Sequence, residues 1–283
     1  MGRIDLHLHT NQSDGQYSPR ALVGLVADRG VSLMAITDHD TVSGIAEGAA
    51  AAREAGIDFI PGVEISVKGN GELHILGYCI DCENRELLRM NAEFVRLRGL
   101  REERIHAYLE KKGVPVSRTG VRKHAAGGMV SRSHFARALT EAGHAADFKD
   151  AFAKYLSTPD FYAIERPKPT PRAGIGVIRA AGGVAVLAHP MTLRLAAPAL
   201  DALLGELVKD GLRGLECHYS AHSPEQTALY LSLARKHGLV VTGGSDFHGE
   251  RVKRDVEIGR GVNGPLGFDD FDIKRKLCAL RWK

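Results

Sequence analysis

Short apolar runs recur along the chain, each closing on a polar cluster and several followed by a stretch with helical spacing. Runs at 4–9, 33–37, 59–67, 73–80, 184–188, 214–218 and 239–242 carry the Ile, Leu and Val content and length of strands, so seven strands are predicted. Helical segments lie between several of them. Ser18 before Pro19 has the form of an N-cap with proline in the first turn, and Gly30 supplies the stop; residues 43–56 read the same way. The GNG at 69–71 predicts a hairpin loop, which makes strands three and four antiparallel and interrupts any regular strand-helix repeat.

The pattern changes between residues 85 and 166. Charged helical sequence such as LRGLREERIHAYLEKKG and SRSHFARALTEAG replaces the apolar runs. A helical insertion over 85–166 is expected, dividing a strand-helix unit made of 1–84 and 167–283 and forming part of a substrate pocket. RPKPTPR at 166–172 is the expected return linker.

Composition narrows the class. With 283 residues, 44% of them hydrophobic, the chain can bury a substantial core. The net charge of +4 comes without long runs of one sign, which argues against a nucleic-acid-binding tail and suits a small anionic substrate equally well. The start, MGRIDLHLHT, lacks the apolar segment of a signal peptide, and no long apolar span follows. A cytoplasmic protein is expected, with no membrane contact and no obligate protein partner. Cys79 and Cys82 form a lone CxxC without a second pair, which predicts reduced thiols instead of a zinc site.

Candidate chemistry gathers where the strands end. His7 and His9 have strand-alternation spacing and Asp14 follows them; TDHD brings His39; Glu64 and His74 sit in the third and fourth runs; His189 closes the fifth; Asp246 and His248 follow the seventh in GGSDFHG. Singly, each has an ordinary explanation as a core histidine, a turn cap or a solvated carboxylate. Together they occupy the end of a strand-helix barrel where catalytic groups converge. Imidazole and carboxylate donors without thiolate suit manganese, zinc or iron, and nine donors exceed the needs of one ion, so two or three divalent ions are expected.

DLHLHTNQSDG, AITDHD, PGVEIS, HILGY, AHP and GSDFHG, in this order, resemble the motifs of the PHP (polymerase and histidinol phosphatase) family. The resemblance implies an α/β fold, a distorted seven-stranded β/α (TIM-like) barrel with a helical insertion. It implies one ion held by His7, His9, Glu64 and Asp246, a second reached by Glu64 with His74 and His189, and a third held by Asp14, His39 and His248. Manganese is the expected metal, with zinc and iron as alternatives.

The looser motifs MVSRSHFARAL, FAKYLSTPDFY and GLECHYSAH are similar to a stand-alone branch of that family, which includes nucleoside 3′,5′-bisphosphate phosphatases, a cyclic-phosphate dihydrolase and a 5′-to-3′ exoribonuclease. The implied function is hydrolysis of a nucleotide phosphoester by metal-activated water, at the 3′-phosphate of a nucleoside bisphosphate or the 5′ end of short RNA. Cyclic-phosphate hydrolysis, histidinol phosphatase activity, amide hydrolysis and a non-catalytic nucleotide scaffold are the competing readings. Arg132 and Lys154 are expected to clamp phosphate, Tyr162 to stack on a base, and His222 to line the pocket and protonate the leaving alkoxide, with Asp246 as the essential catalytic carboxylate. His134 is expected to pack, and His218 stands where an apolar residue was expected.

Overall fold

Each of the seven apolar runs becomes a strand of one sheet. The computed structural model describes residues 3–125, 130–164, 167–261 and 264–282. Met1, Gly2 and Lys283 at the expected barrel limits, Met129 at the head of one insertion motif and Arg166 at the head of the expected linker lie outside the described residues. The strands are β1 (Arg3–Leu8), β2 (Val31–Ile36), β3 (Asp58–Ser66), β4 (His74–Tyr78), β5 (Val184–Leu187), β6 (Gly214–Tyr219) and β7 (Val240–Gly244), and they neighbour one another in sequential order. β4 is antiparallel to both β3 and β5, while the other pairs are parallel.

The ends of the sheet nearly meet. Asp246 N–H donates to His7 O at 2.8 Å and His9 N–H to Phe247 O at 3.0 Å, so the segment after β7 closes onto β1. Gly244 is required at this seam, because a Cβ there would stand 2.3 Å from the His7 Cβ. A register irregularity between Asp5 and Leu8 changes the facing of β1. Leu6 packs with Leu33, Ala35, Leu76 and Val186, whereas Leu8 packs with Ile36 in the layer beneath the helices. Such irregularities re-aim side chains beside functional sites, and this one lies where His7 leaves the strand.

Helices α1 (Pro19–Asp28) and α2 (Ile45–Glu54) follow β1 and β2. Ser18 caps α1 by accepting from Ala21 N–H, as the Ser-Pro pair predicted. Between β4 and β5 run α3 (Arg85–Lys111), α4 (Arg118–Ala125), α5 (Arg132–Glu141), α6 (Phe148–Ala151), a π-helical turn (Phe152–Leu156) and α7 (Pro159–Tyr162), with no strand among the described residues. Ile105, Leu109, Val121, Phe135, Leu139 and Phe161 bury one another in a core of their own. The first half of α3 instead gives Leu87 and Phe94 to the barrel-side core, so this one helix joins both.

α8 (Pro171–Ala180), α9 (Ala197–Asp210) and α10 (Pro224–His237) complete the strand-helix order. The sequence pattern names no helix or strand after residue 249, yet α11 (Ile273–Ala279) buries Ile273 and Leu277 completely against Ile4, Leu33 and Tyr78. It packs at the end of the sheet away from the polar clusters. Among the described residues no helix is long and apolar enough to cross a membrane.

Candidate metal centre and substrate cavity

The barrel ends deliver their polar clusters to one place. His7 and His9 leave β1, His39 follows β2, Glu64 lies in β3, His189 follows β5, and Asp246 with His248 follows β7. His74 opens β4, and because that strand runs antiparallel its first residue stands at the face where the parallel strands end. Asp14 reaches the same face from the loop after β1.

The Glu64 carboxylate is the centre of the arrangement and is fully buried. Its Oε2 lies 3.2 Å from ring nitrogens of His7, His9 and His39, and its Oε1 lies 2.8 Å from those of His74 and His189. His9 Nε2 is 3.1 Å from Asp246 Oδ1, and His248 Nε2 is 3.3 Å from Asp14 Oδ1. Three overlapping groups result: His7, His9, Glu64 and Asp246; His9, Asp14, His39 and His248; and His39, Glu64 and His74, each with donor atoms within 4.8 Å of one another. Eight of the nine expected donors fall in these groups, while His189 adjoins them only through Glu64 Oε1, and two further changes in grouping appear. His9 joins the Asp14 group, and His39 stands between that group and the Glu64–His74 pair.

Both ring nitrogens of His9, His39 Nδ1 and Asp14 Oδ1 are buried without a hydrogen-bond partner. Buried polar atoms left this way are costly, and here they face common points at donor-set distances instead of bonding to each other. The nitrogen and oxygen donors, free of thiolate, therefore fit divalent cations.

Electrostatics point the same way. Burial alone raises the Glu64 carboxyl, but His39, His7, His74 and the hydrogen bond from His189 together hold it well below the usual carboxylate range. Burial likewise opposes charge on Asp246, and Lys253, His7 and His248 overcome it, leaving this carboxyl well below its ordinary value. Burial pulls the His7 imidazole down, yet Glu216, Glu64 and Asp246 outweigh it and hold the ring well above its ordinary value.

A supporting layer escaped the sequence reading. Glu216 accepts from His7 Nδ1–H at 2.9 Å and from His189 N–H at 2.7 Å, fixing one ring and the turn that carries the other. A carboxylate inside an apolar strand run was the same signal that singled out Glu64, and it was present in GLECHYSAH. Tyr219 Oη–H donates to Asp246 Oδ2 at 2.9 Å, and the Lys253 ammonium pairs with that same oxygen. Arg98 of α3 reaches Asp40 Oδ2 at 2.6 Å, tying the insertion to the residue after His39. Asp40, His189 and Asp246 all adopt left-handed backbone, with φ of 58°, 24° and 59°. Held strain of this kind gathers at functional sites.

A cavity of about 260 Å³ opens above the cluster. Arg98, Arg101, Arg132, Lys168 and Lys253 line it, together with an apolar wall from the insertion. Arg132 is therefore at the cavity as expected, half-buried, with its Nη2 3.3 Å from Glu72 Oε1. Three other expected residues do not line it. Lys154 is exposed and paired with Asp150 at 2.7 Å, one turn back on its own helical segment. Tyr162 is 61% exposed at the end of α7 and touches Phe161.

His222 is buried between Tyr219 and Tyr230, with Nδ1 2.9 Å from Cys217 O. Burial lowers its basicity, so the ring is neutral near pH 7, contrary to the part of proton donor. His134 closes a capping box with Ser131 at the start of α5, and burial pushes it down to about 4. His218 leans on Phe268. Cys79 and Cys82 are free thiols, and Cys79 lies beside Cys278, not in a four-ligand site.

Residues 5–165 match the family model described as PHP domain. The chain belongs to the PHP family. It is 37% identical to the 5′-3′ exoribonuclease Rnm of Escherichia coli strain K12, over 94% of this chain and 91% of that one. It is 34% identical to the 3′,5′-nucleoside bisphosphate phosphatase of Chromobacterium violaceum, over 88% of each. A solved structure from Bifidobacterium adolescentis, proposed as a metal-dependent phosphoesterase, superposes with a TM-score of 0.85 at 32% identity, covering 99% of this chain and 96% of that one. The PHP chain described here therefore shares its barrel and its length with proteins named for phosphoester hydrolysis.

Proposed function

We propose that this PHP chain is a metal-dependent phosphoesterase that hydrolyses the 3′-phosphoester of a small nucleotide carrying a 5′-phosphate. Such a substrate is either a nucleoside 3′,5′-bisphosphate or the 5′ end of a short RNA. The observation that carries the reading is one cavity with a converging imidazole–carboxylate cluster at its base and Arg98, Arg101, Arg132, Lys168 and Lys253 around it. A single phosphate needs only the cluster, so the guanidinium and ammonium groups above it, of which Arg98, Arg132 and Lys253 also pair with Asp40, Glu72 and Asp246, suit a substrate with a second anionic group. The names of the Escherichia coli and Chromobacterium violaceum relatives agree with that substrate class.

His7, His9, Glu64, Asp246, Asp14, His39, His74, His189 and His248 would hold two or three ions, with manganese as the proposed metal and zinc or iron as alternatives. Bound cations of this kind lower the pKa of water from 15.7 toward roughly 7 and neutralise phosphoryl oxygens. The protein's own part is orientation. Glu216 fixes His7 and the His189 turn, Tyr219 and Lys253 hold Asp246 by one oxygen so that the other faces the cluster, and Arg132 meets the phosphate oxygens in a planar fork. The cavity wall comes from both parts of the chain, which supports treating 85–166 as an insertion that completes the pocket of a barrel formed by 1–84 and 167–283. The absence of a long apolar helix among the described residues is compatible with a cytoplasmic enzyme.

Replacing Arg132 with Met tests the reading. Loss of a charge-assisted hydrogen bond is worth about 1.5–3 kcal/mol, so kcat/KM on a nucleoside 3′,5′-bisphosphate should fall roughly ten- to a hundredfold. Turnover of an aryl phosphate should change little. Equal losses on both substrates would remove the second-phosphate role from Arg132.

A further inference from the structure

We infer that Phe148 and Phe152 form the stacking face for the nucleobase of the substrate, an inference that rests on the nucleotide reading above. The two residues are one helical turn apart, Phe148 opening α6 and Phe152 opening the π-helical turn. Their ring centroids are 5.0 Å apart with the planes tilted by 40°. Both are half-buried: they pack against the insertion core and also line the cavity. Half-buried aromatic rings lining a pocket whose other walls are ionised suit a ligand with an apolar plane of its own.

Arg132 links this wall to the metal cluster. Its guanidinium lies 5.8 Å from the Phe152 ring centroid and 3.3 Å from Glu72 Oε1. The Glu72 backbone carbonyl in turn accepts from Thr192 Oγ1, and Thr192 Oγ1 is 3.0 Å from His189 Nδ1. A second phosphate on Arg132 therefore has the cluster on one side and an aromatic plane on the other, within reach of the base carried by the same ribose. Ile105 and Val130 extend the apolar wall, and among the described residues no Asn or Gln lines the cavity. Stacking without amide readout accepts every base. A π-helical turn at this point is the kind of local irregularity found at functional sites.

The test compares metal-loaded wild type, Phe152→Ala and Phe152→Leu on a nucleoside 3′,5′-bisphosphate and on the abasic 3,5-bisphosphate of the same sugar. Wild type should prefer the nucleoside substrate, with kcat/KM for the four bases within about threefold, and Phe152→Ala should lose roughly ten- to a hundredfold on it. On the abasic substrate both variants should lose far less than on the nucleoside substrate, any small loss there reporting the Arg132 guanidinium that lies over the Phe152 ring; unchanged bound metal shows that the cluster is intact, and Phe152→Leu should recover little of the base preference. An equal fall on both substrates, or a wild type indifferent to the base, overturns the stacking face and leaves the phosphoesterase reading standing. If neither bisphosphate is turned over while histidinol phosphate is, the nucleotide reading fails and this inference with it.

Discussion

At the residue scale, Glu64 and Asp246 are held ionised by their neighbours and not by solvent. Asp246→Ala removes a donor to the cluster and leaves the Lys253 ammonium without its partner, so metal content and turnover should fall together while far-UV circular dichroism is kept; full turnover with full metal content would contradict the role of Asp246. Tyr219→Phe keeps the carboxylate but leaves its outer oxygen to Lys253 alone, and a loss of ten- to a hundredfold in metal affinity or activity is expected, read from metal titration beside kinetics. His222→Ala should leave the pH profile of kcat unchanged, because its ring is bonded to Cys217 O beneath Tyr219. The nine donors were legible because each strand end repeated the same residue chemistry. Lys154 and Tyr162 were misread because a charge or an aromatic ring in a helical motif says nothing about which way its face turns, and that depends on how the insertion folds over the barrel. Phe148 and Phe152 were passed over for the same reason.

At the scale of elements, β4 shows how position and direction combine. The GNG turn made its antiparallel pairing to β3 readable, and that pairing explains why His74 begins a strand while the other donors end theirs. The pairing of β4 with β5 was not readable, since more than a hundred residues separate them and nothing local specifies the partner. α11 had no motif, and its place became visible only through burial. Leu277 is fully buried under the barrel, so Leu277→Ala should cost about 2–5 kcal/mol in urea denaturation, with the donor cluster at the far end unaffected and activity retained below the midpoint. The Arg98–Asp40 pair joins α3 to the turn after His39 and is almost wholly buried. Arg98→Met takes the cation from a buried carboxylate that keeps the hydrogen bond from Ser66 N–H, a loss of up to about 3–5 kcal/mol. Adding Asp40→Asn to the same protein should restore part of it, and additive losses in that double-mutant cycle would show that the pair is not coupled.

For the whole molecule, metal, protonation and stability are linked. His7 is held well above its ordinary value, so in the metal-free protein this ring keeps its proton at neutral pH, and loading the cluster must displace it. Proton release on manganese titration is therefore expected, measured by calorimetry in buffers of different ionisation enthalpy, and apparent affinity should rise with pH. Because the cluster joins segments from residue 7 to residue 248, binding should stabilise the whole barrel, by about 2.7 kcal/mol at a hundredfold excess over Kd. The most direct measurement is kcat/KM for a nucleoside 3′,5′-bisphosphate and for histidinol phosphate, before and after chelation and manganese return, with bound metal determined in the same samples. Turnover that disappears on chelation, returns with manganese and favours the bisphosphate by tenfold or more is the predicted result. Turnover that survives complete metal removal, or a tenfold preference for histidinol phosphate, would contradict the account.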